Sequence, residues 1–303
     1  MARSKTAAAA LSITSNSLLI TIKALAGFLT GSISILAEAI HSLLDLVAAI
    51  IAFFGVRVAD KPSDIEHPFG HGKAENLSGV IEAILIFVAA AIIIYEAIKR
   101  LAGVAALEMT ELGIAVMGVS VVVNILVSRH LLRVARQTDS VALEADARHL
   151  TTDVWTSAGV LIGLVVVRLT GLNSLDPIIA LAVAVFIIRA AYEILMKSYS
   201  GLIDTRLPTA EEAIIRQCLE KHSGRLVGFH GLRTRKAGSQ RFIELHLVMP
   251  KEARVAEAHK VCDHLEKDLK KRFAGSRITI HVEPCTVECP ECGVPCEVKP
   301  KKG

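Results

Sequence analysis

Apolar residues fill the first 200 positions in long runs separated by short polar links, and the pattern then changes. Six runs can be drawn at roughly 7–29, 32–58, 77–98, 111–132, 142–168 and 177–197. Each is about 20 residues or more, the length a helix needs to cross a bilayer's hydrocarbon. The links are brief: Gly31, "ADKPSDIEHPFGHGKAEN", "KRLAGVAALEMT", "SRHLLRVARQTDS" and "TGLNSLDP". From Leu202 the chain turns charged and mixed. There "TAEEAIIRQCLEKH" has helical periodicity behind Pro208-Thr209 and opens with two glutamates. "RLVGFHGLRTRKAG" and "QRFIELHLVMP" alternate as strands about a Gly238-Ser239 turn. "ARVAEAHKVCDHLEKDLKKRF" predicts a second helix and "SRITIHVEP" a last strand. The expected architecture is a bundle of six transmembrane helices at 1–200, followed by an α-β-β-α-β domain of the α+β class at 201–284 with its helices on one face. A Cys-rich tail completes the chain at 285–303.

Composition agrees with this division: 52% of the 303 residues are hydrophobic, yet only 4% are aromatic, so the membrane part is aliphatic. The net charge of +4 matters less than its placement. Arg3, Lys5, Arg57, Lys61, Lys73, Arg129, Arg133, Arg136 and Arg148 gather at one side of the predicted bundle, against Lys99, Arg100 and Arg168 at the other. The positive-inside rule then sets both termini and the 59–76 loop in the cytoplasm of a multi-pass protein of the cell (inner or plasma) membrane. "MARSK" is basic, but the run behind it continues to Phe28 without a clean small-residue cleavage site, so it is taken as the first span rather than a signal peptide. Nothing in the charge pattern suggests a nucleic-acid partner.

Two of the runs carry the same fault. His41 and Asp45 lie four apart in the second, and His149 and Asp153 four apart in the fifth. An aspartate at mid-bilayer costs about 2.5–3.5 kcal/mol on insertion scales. Four helical residues turn about 400° and rise about 6 Å, so each pair shares one helix face. Facing each other, the two pairs offer two imidazole nitrogens and two carboxylates, a set that suits a tetrahedral divalent ion, zinc above all. The carboxylates also offset the ion's charge. The plainer alternative is a helix-internal hydrogen bond in each pair.

With these residues in view, the chain resembles the cation diffusion facilitator family of dimeric divalent-metal exporters. The likeness is carried by "HSLLD", "HLTTD", "HPFGHGKAEN", the six-run layout, and "GLRTRKAG", "FIELHLVMP" and "ITIHVEP" in the α+β domain. It implies metal export coupled to inward proton movement, a homodimer, and a metallochaperone-like cytosolic domain for dimerisation and metal sensing. It also implies a peripheral site at Asp64, His67 and His71. A cytosolic site maps onto His230, His246, His259 and His281, with Glu283 where an aspartate is often found. The His-Asp/His-Asp set resembles the family's zinc-preferring pattern, and imidazole suits zinc better than manganese or magnesium. Zinc is thus expected as both transported and regulatory ion, with other divalent transition metals as further candidates.

All six cysteines lie after the bundle, four of them (Cys285, Cys289, Cys292, Cys296) in the last 19 residues. That crowding points to thiol or metal chemistry in a reducing compartment. The C-x3-C-x2-C-x3-C spacing is too short for a zinc ribbon, so a flexible zinc or copper(I) site and a plain polar tail both remain open. The expected partners are zinc ions, protons, the lipid bilayer and a second copy of the chain. The expected function is proton-coupled alternating-access efflux, not enzymatic catalysis. Two other classes stay in view. A membrane-tethered metal sensor needs no intramembrane ligands. An intramembrane metallo-hydrolase needs an open coordination position and a general base, for which Glu82 and Glu96 are unsupported candidates.

Overall fold

The computed structural model describes residues 2–30, 33–102, 111–170, 175–222 and 226–285. It forms two compact units, Met1–Leu202 and Ile203–Gly303. The first holds six long helices: α1 (Ala2–Thr30), α2 (Ile33–Ala59), α3 (Lys73–Leu101), α4 (Glu111–Thr138), α5 (Val141–Thr170) and α6 (Leu175–Leu202). Several exceed the apolar runs that mark them, because polar residues at their ends continue the helix and bond across it. In α3, for example, Lys73 Nζ donates to the Leu202 carbonyl at 3.1 Å and Asn76 Nδ2 to that of Ser198 at 3.2 Å. Between α4 and α5 the chain breaks at Asp139, which adopts a left-handed φ of 53°. Ser140 Oγ then accepts the Leu143 N–H at 3.4 Å, an N-cap arrangement for α5.

Four helices are long and apolar enough to cross a membrane among the described residues, with spans at Ser4–Ala26, Lys73–Lys99, Gly118–Thr138 and Pro177–Leu202. The two that fall outside this group are α2 and α5, the helices that carry the faults. α5 alone holds Glu144, Asp146, Arg148 and Asp153.

α5 lies between two apolar clusters. Ala142, Leu143, Ala147 and Leu150 join Ala8, Ala9, Val56, Leu131 and Ala135 on one side. Ala145 joins Ala83, Ile86, Ala90, Ile187, Ala191 and Ile194 on the other. Helices approach closely where glycine leaves room: a Cβ on Gly55 would run into Ser78, and one on Gly79 into Ser198. Small residues at such crossings let membrane helices pack backbone to backbone. Fully buried Glu75 ties three helices at one end of the unit. Its Oε1 accepts from Lys5 Nζ on α1, and its Oε2 from the Val141 N–H that opens α5, both at 2.9 Å.

The second unit contains α7 (Thr209–Glu220), β1 (Gly228–Ala237), β2 (Gln240–Met249), α8 (Val255–Arg272) and β3 (Arg277–Pro284). β1 and β2 form an antiparallel hairpin, and α8 carries the chain over to β3, which pairs parallel to β2. The result is a small mixed sheet in the order β1-β2-β3. Ala237 pairs with Gln240 across a two-residue turn, where Gly238 supplies the positive φ of 58° that a tight hairpin demands. Alternation fixes the faces. Ile243, Leu245, Leu247 and Met249 of β2 pack with Ile215 and Leu219 of α7 and Val261, Leu265 and Leu269 of α8. Even-numbered β2 residues, His246 among them, therefore point away from the helices.

Candidate metal sites

In the first unit, Asp45 of α2 meets His149 and Asp153 of α5, and one ligand atom from each of the three lies within 4.8 Å of the others. Asp45 and His149 are buried, at 6% and 5% exposure. His149 Nε2 lies 3.3 Å from Asp45 Oδ1. Nδ1 of the same ring is buried with no hydrogen-bond partner. The Asp45 backbone carbonyl accepts from Asn16 Nδ2 of α1 at 3.3 Å, which holds this point of α2 against its neighbour. Two carboxylates and an imidazole are hard and borderline donors in a dry setting, and together they balance a divalent charge. His41 lies on α2, but its side chain is outside the described residues.

The second group lies in the loop between α2 and α3. Asp64 Oδ1 accepts the backbone N–H of His67 at 2.6 Å and lies 3.1 Å from His67 Nδ1. Asp64 Oδ2 is 3.3 Å from His71 Nε2. The two rings are 4.4 Å apart between centroids. Gly70 turns the chain between them with a φ of 85° and donates its N–H to the His67 carbonyl at 2.9 Å. The His67 backbone N–H, more than the imidazoles, holds the Asp64 carboxyl below the usual aspartate range. One ligand atom from each of the three residues lies within 4.8 Å of the others. Neighbouring Glu66 is exposed and is not part of the group.

The third group spans the open face of the sheet. His230, His246 and His281 occupy one register row, His230 opposite His246 and His246 opposite His281. Adjacent ring centroids are 5.0 Å apart. Glu283 reaches across this row: Oε2 is 3.0 Å from His230 Nε2, and Oε1 is 2.7 Å from His246 Nδ1 and 3.6 Å from His281 Nε2. The His246 hydrogen bond is the main cause that lowers the Glu283 carboxyl below its ordinary value. The longer glutamate thus serves where a shorter aspartate would have to sit closer. A bulge between His230 and Arg233 sets the row, with Gly231 at a φ of 61° where a Cβ would meet the His246 ring. His259 stands apart from this group. It lies exposed on α8, which covers the opposite face of the sheet, with its Nε2 3.7 Å from Asp263.

Of the tail cysteines, Cys285 is buried with Val227 and Val248 at the end of the sheet, its N–H donating to the Met249 carbonyl at 2.8 Å. Cys289, Cys292 and Cys296 lie outside the described residues. The thiols of Cys218 and Cys262 belong to the apolar core, and burial pushes both up from the ordinary cysteine value.

One feature escaped the sequence reading. Asp146, three residues before His149, is fully buried, as is Glu82 of α3. The spacing 146, 149, 153 places Asp146 on the ligand face of α5, a signal present in "EADARHLTTD" but overlooked beside the His-Asp pair.

Comparison with known proteins gives consistent matches along the chain. A family model described as the cation efflux transmembrane domain matches residues 9–203, and one described as the cation efflux protein cytoplasmic domain matches 207–285. The cation-efflux pump FieF of Yersinia pestis is 36% identical over 281 residues, covering 92% of this chain and 93% of that protein. An uncharacterized transporter of Synechocystis sp. is 40% identical over 256 residues, covering 84% of this chain and 83% of its own. A solved structure of the zinc form of CzrB is 45% identical, covers 26% of this chain and 90% of that one, and has a TM-score of 0.25.

Proposed function

Because the chain belongs to the cation efflux (cation diffusion facilitator) family and is a membrane cation-efflux transporter, we propose that it exports divalent metal ions, zinc first, in exchange for protons. The observation that carries this reading is the convergence of Asp45, His149 and Asp153 in the buried interior of the first unit. With His41 one turn before Asp45, the set becomes two imidazoles and two carboxylates, which favours zinc over manganese or magnesium. Metal binding requires deprotonated ligands, so protons arriving from outside displace the ion there, and metal arriving from the cytoplasm displaces protons. A histidine ligand, with its ordinary value near 6.5, suits that exchange at physiological pH.

In this reading all six helices cross the membrane, α2 and α5 being accepted as spans because Asp45 of α2 and Asp146 and His149 of α5 are buried within the bundle. Both termini and the 60–72 loop are cytoplasmic. Domain limits near 200 and 284 follow, and a second copy of the chain pairs through the α+β domain. Zinc at His230, His246, His281 and Glu283 regulates rather than crosses, with His259 as a ligand only if a second chain supplies the remaining geometry. Asp64, His67 and His71 form a separate cytoplasmic site, and the tail cysteines a further candidate one. The sensor alternative leaves the buried ligand convergence without a use, and the hydrolase alternative needs a general base that no side chain of this ligand group supplies.

The test is ion flux into proteoliposomes across zinc, cobalt, cadmium, iron and manganese, with and without a pH gradient. Zinc flux that depends on the gradient and on Asp153 supports the proposal. Flux indifferent to Asp153→Asn overturns the assigned route.

A further inference from the structure

Glu82 of α3 and Asp146 of α5 are both 0% exposed. Glu82 Oε2 has no hydrogen-bond partner, and the Asp146 carboxylate has no bond of ordinary geometry, the side chain that acts on it by hydrogen bonding being Ser12, itself 0% exposed. On the Glu82 side, Ser78 Oγ donates to Oε1 at 3.4 Å. The groups acting on Asp146 are Ser12 from α1, Asp45 from α2 and His149 from its own helix. Those acting on Glu82 are Asp146 and Ser78. α6 presents apolar Ile187, Ala191 and Ile194 to this region. Among its described side chains the charged ones, Arg189, Glu193 and Lys197, are engaged elsewhere, Arg189 with Glu193, Glu193 with Arg148 and Lys197 with Glu144. Lys5 is engaged by Glu75 and Asp60, and Lys23 donates to Ser42. No described cation neutralises the two acids.

Ala83, next to Glu82, and Ala145, next to Asp146, pack in one buried cluster where α3 meets α5, and two carboxyl groups brought together in a dry interior cannot both be ionised without a counter-charge. A metal is the poorer candidate, since no third His, Cys, Asp or Glu among the described residues closes with this pair into a ligand group. We propose that Glu82 and Asp146 hold a transferable proton and form a proton-carrying site beside the transport ligands. The inference rests on Asp45, His149 and Asp153 being the ion's site. When a divalent ion enters there, its field acts on Asp146 one helical turn away, and an acid O–H breaks. The proton passes to water, leaving a carboxylate that the new positive charge stabilises. When the ion leaves, the carboxylate takes a proton back. Ser12 Oγ is placed to bond either form.

Difference infrared spectroscopy on the full-length protein tests this without relying on transport. In metal-free wild type at neutral pH, a protonated carboxylic acid C=O band is expected, and the Glu82→Gln/Asp146→Asn double variant should lose it. Asp146→Asn alone should diminish or shift the band, which keeps the test open if the double variant does not fold. Adding zinc should bleach the band in wild type but not in Asp153→Asn. An identical band in wild type and the double variant overturns the proposal. So does a band that survives zinc binding, or one removed by sodium or magnesium alone, which would make the pair a cation site. The metal-free band judges the pair, whereas zinc binding that is unchanged in Asp153→Asn would instead overturn the transport-site assignment.

Discussion

His149 of α5 and Asp45 of α2 meet at 3.3 Å through Nε2 and Oδ1, while His149 Nδ1 remains buried with no hydrogen-bond partner. The pair brings together residues 104 positions apart. It also leaves one imidazole nitrogen whose desolvation is not compensated, a cost natural interiors seldom leave standing without a use.

Replacing Asp45 or Asp153 by Asn should abolish zinc flux while leaving expression and dimerisation intact. Loss of a group merely supporting a metal ligand typically costs about 10–100-fold in affinity or activity, and loss of a ligand should exceed that. Zinc uptake by proteoliposomes is the measurement, and wild-type rates in either variant would refute the site.

His41→Asp should broaden selectivity toward manganese and lower zinc discrimination, because it exchanges an imidazole for a harder oxygen donor. A competition flux assay that returned an unchanged ion ranking would show that His41 does not filter the metal.

On the cytosolic sheet, His246→Ala combined with His281→Ala should lower zinc binding to an isolated 205–284 fragment and weaken zinc-promoted closure of its dimer. In the intact chain transport should persist, with a higher zinc threshold. Calorimetry reads the first effect and flux the second. Abolished flux at saturating zinc would make this domain part of the ion's path.

Gly231→Ala should disturb the same site although no ligand is removed. A left-handed backbone costs a residue with a Cβ about 1–2 kcal/mol, and the added methyl would press on the His246 ring, 3.2 Å from its nearest atom. Thermal unfolding of the fragment should fall accordingly, and its zinc affinity with it. Unchanged affinity would show that the bulge does not position His246.

The loop held by Asp64 should respond to acid but not to mild changes near neutrality. Its carboxyl is held below the ordinary value chiefly by the His67 N–H, so the stabilisation is fully present above the unfolded aspartate value of about 3.9. It is lost as pH falls through the lower folded value. The protection of the His67 amide, its exchange rate relative to an unstructured chain at the same pH, should therefore hold near neutral pH in metal-free protein and fall only in acid. Protection lost near neutrality would mean that histidine protonation governs the loop instead.

Much of this arrangement is legible along the chain because it is local. Apolar runs set the six long helices, and strand alternation decides that His246 faces away from α7 and α8 while Leu245 and Leu247 face them. His149 and Asp153 share a helix face by spacing alone. What spacing could not give was distance in three dimensions. Glu283 proved to span His230 and His246 because β3 lies parallel to β2 in a register that sets His281 beside His246. His259 sits on the far side of that sheet, a matter of crossover geometry rather than of motif. Asp146 was overlooked because a lone aspartate near a charged helix start reads as a solvated residue. Only the packing of α1 and α3 against α5 buries it.

The Glu75 junction has a mechanical corollary. By holding Lys5 and the first N–H of α5 together, it fixes one end of that helix as a fulcrum. At 1.5 Å per residue, His149 lies about 12 Å along the lever and Asp153 about 18 Å. A tilt of roughly 10° about this point would carry them about 2 Å and 3 Å, respectively, by that same rise. Metal–ligand bonds of about 2.0–2.2 Å tolerate little such stretching. Asp153, at the longer arm, would let go first, and the order in which the ion loses its ligands would be set by where the helix is pinned.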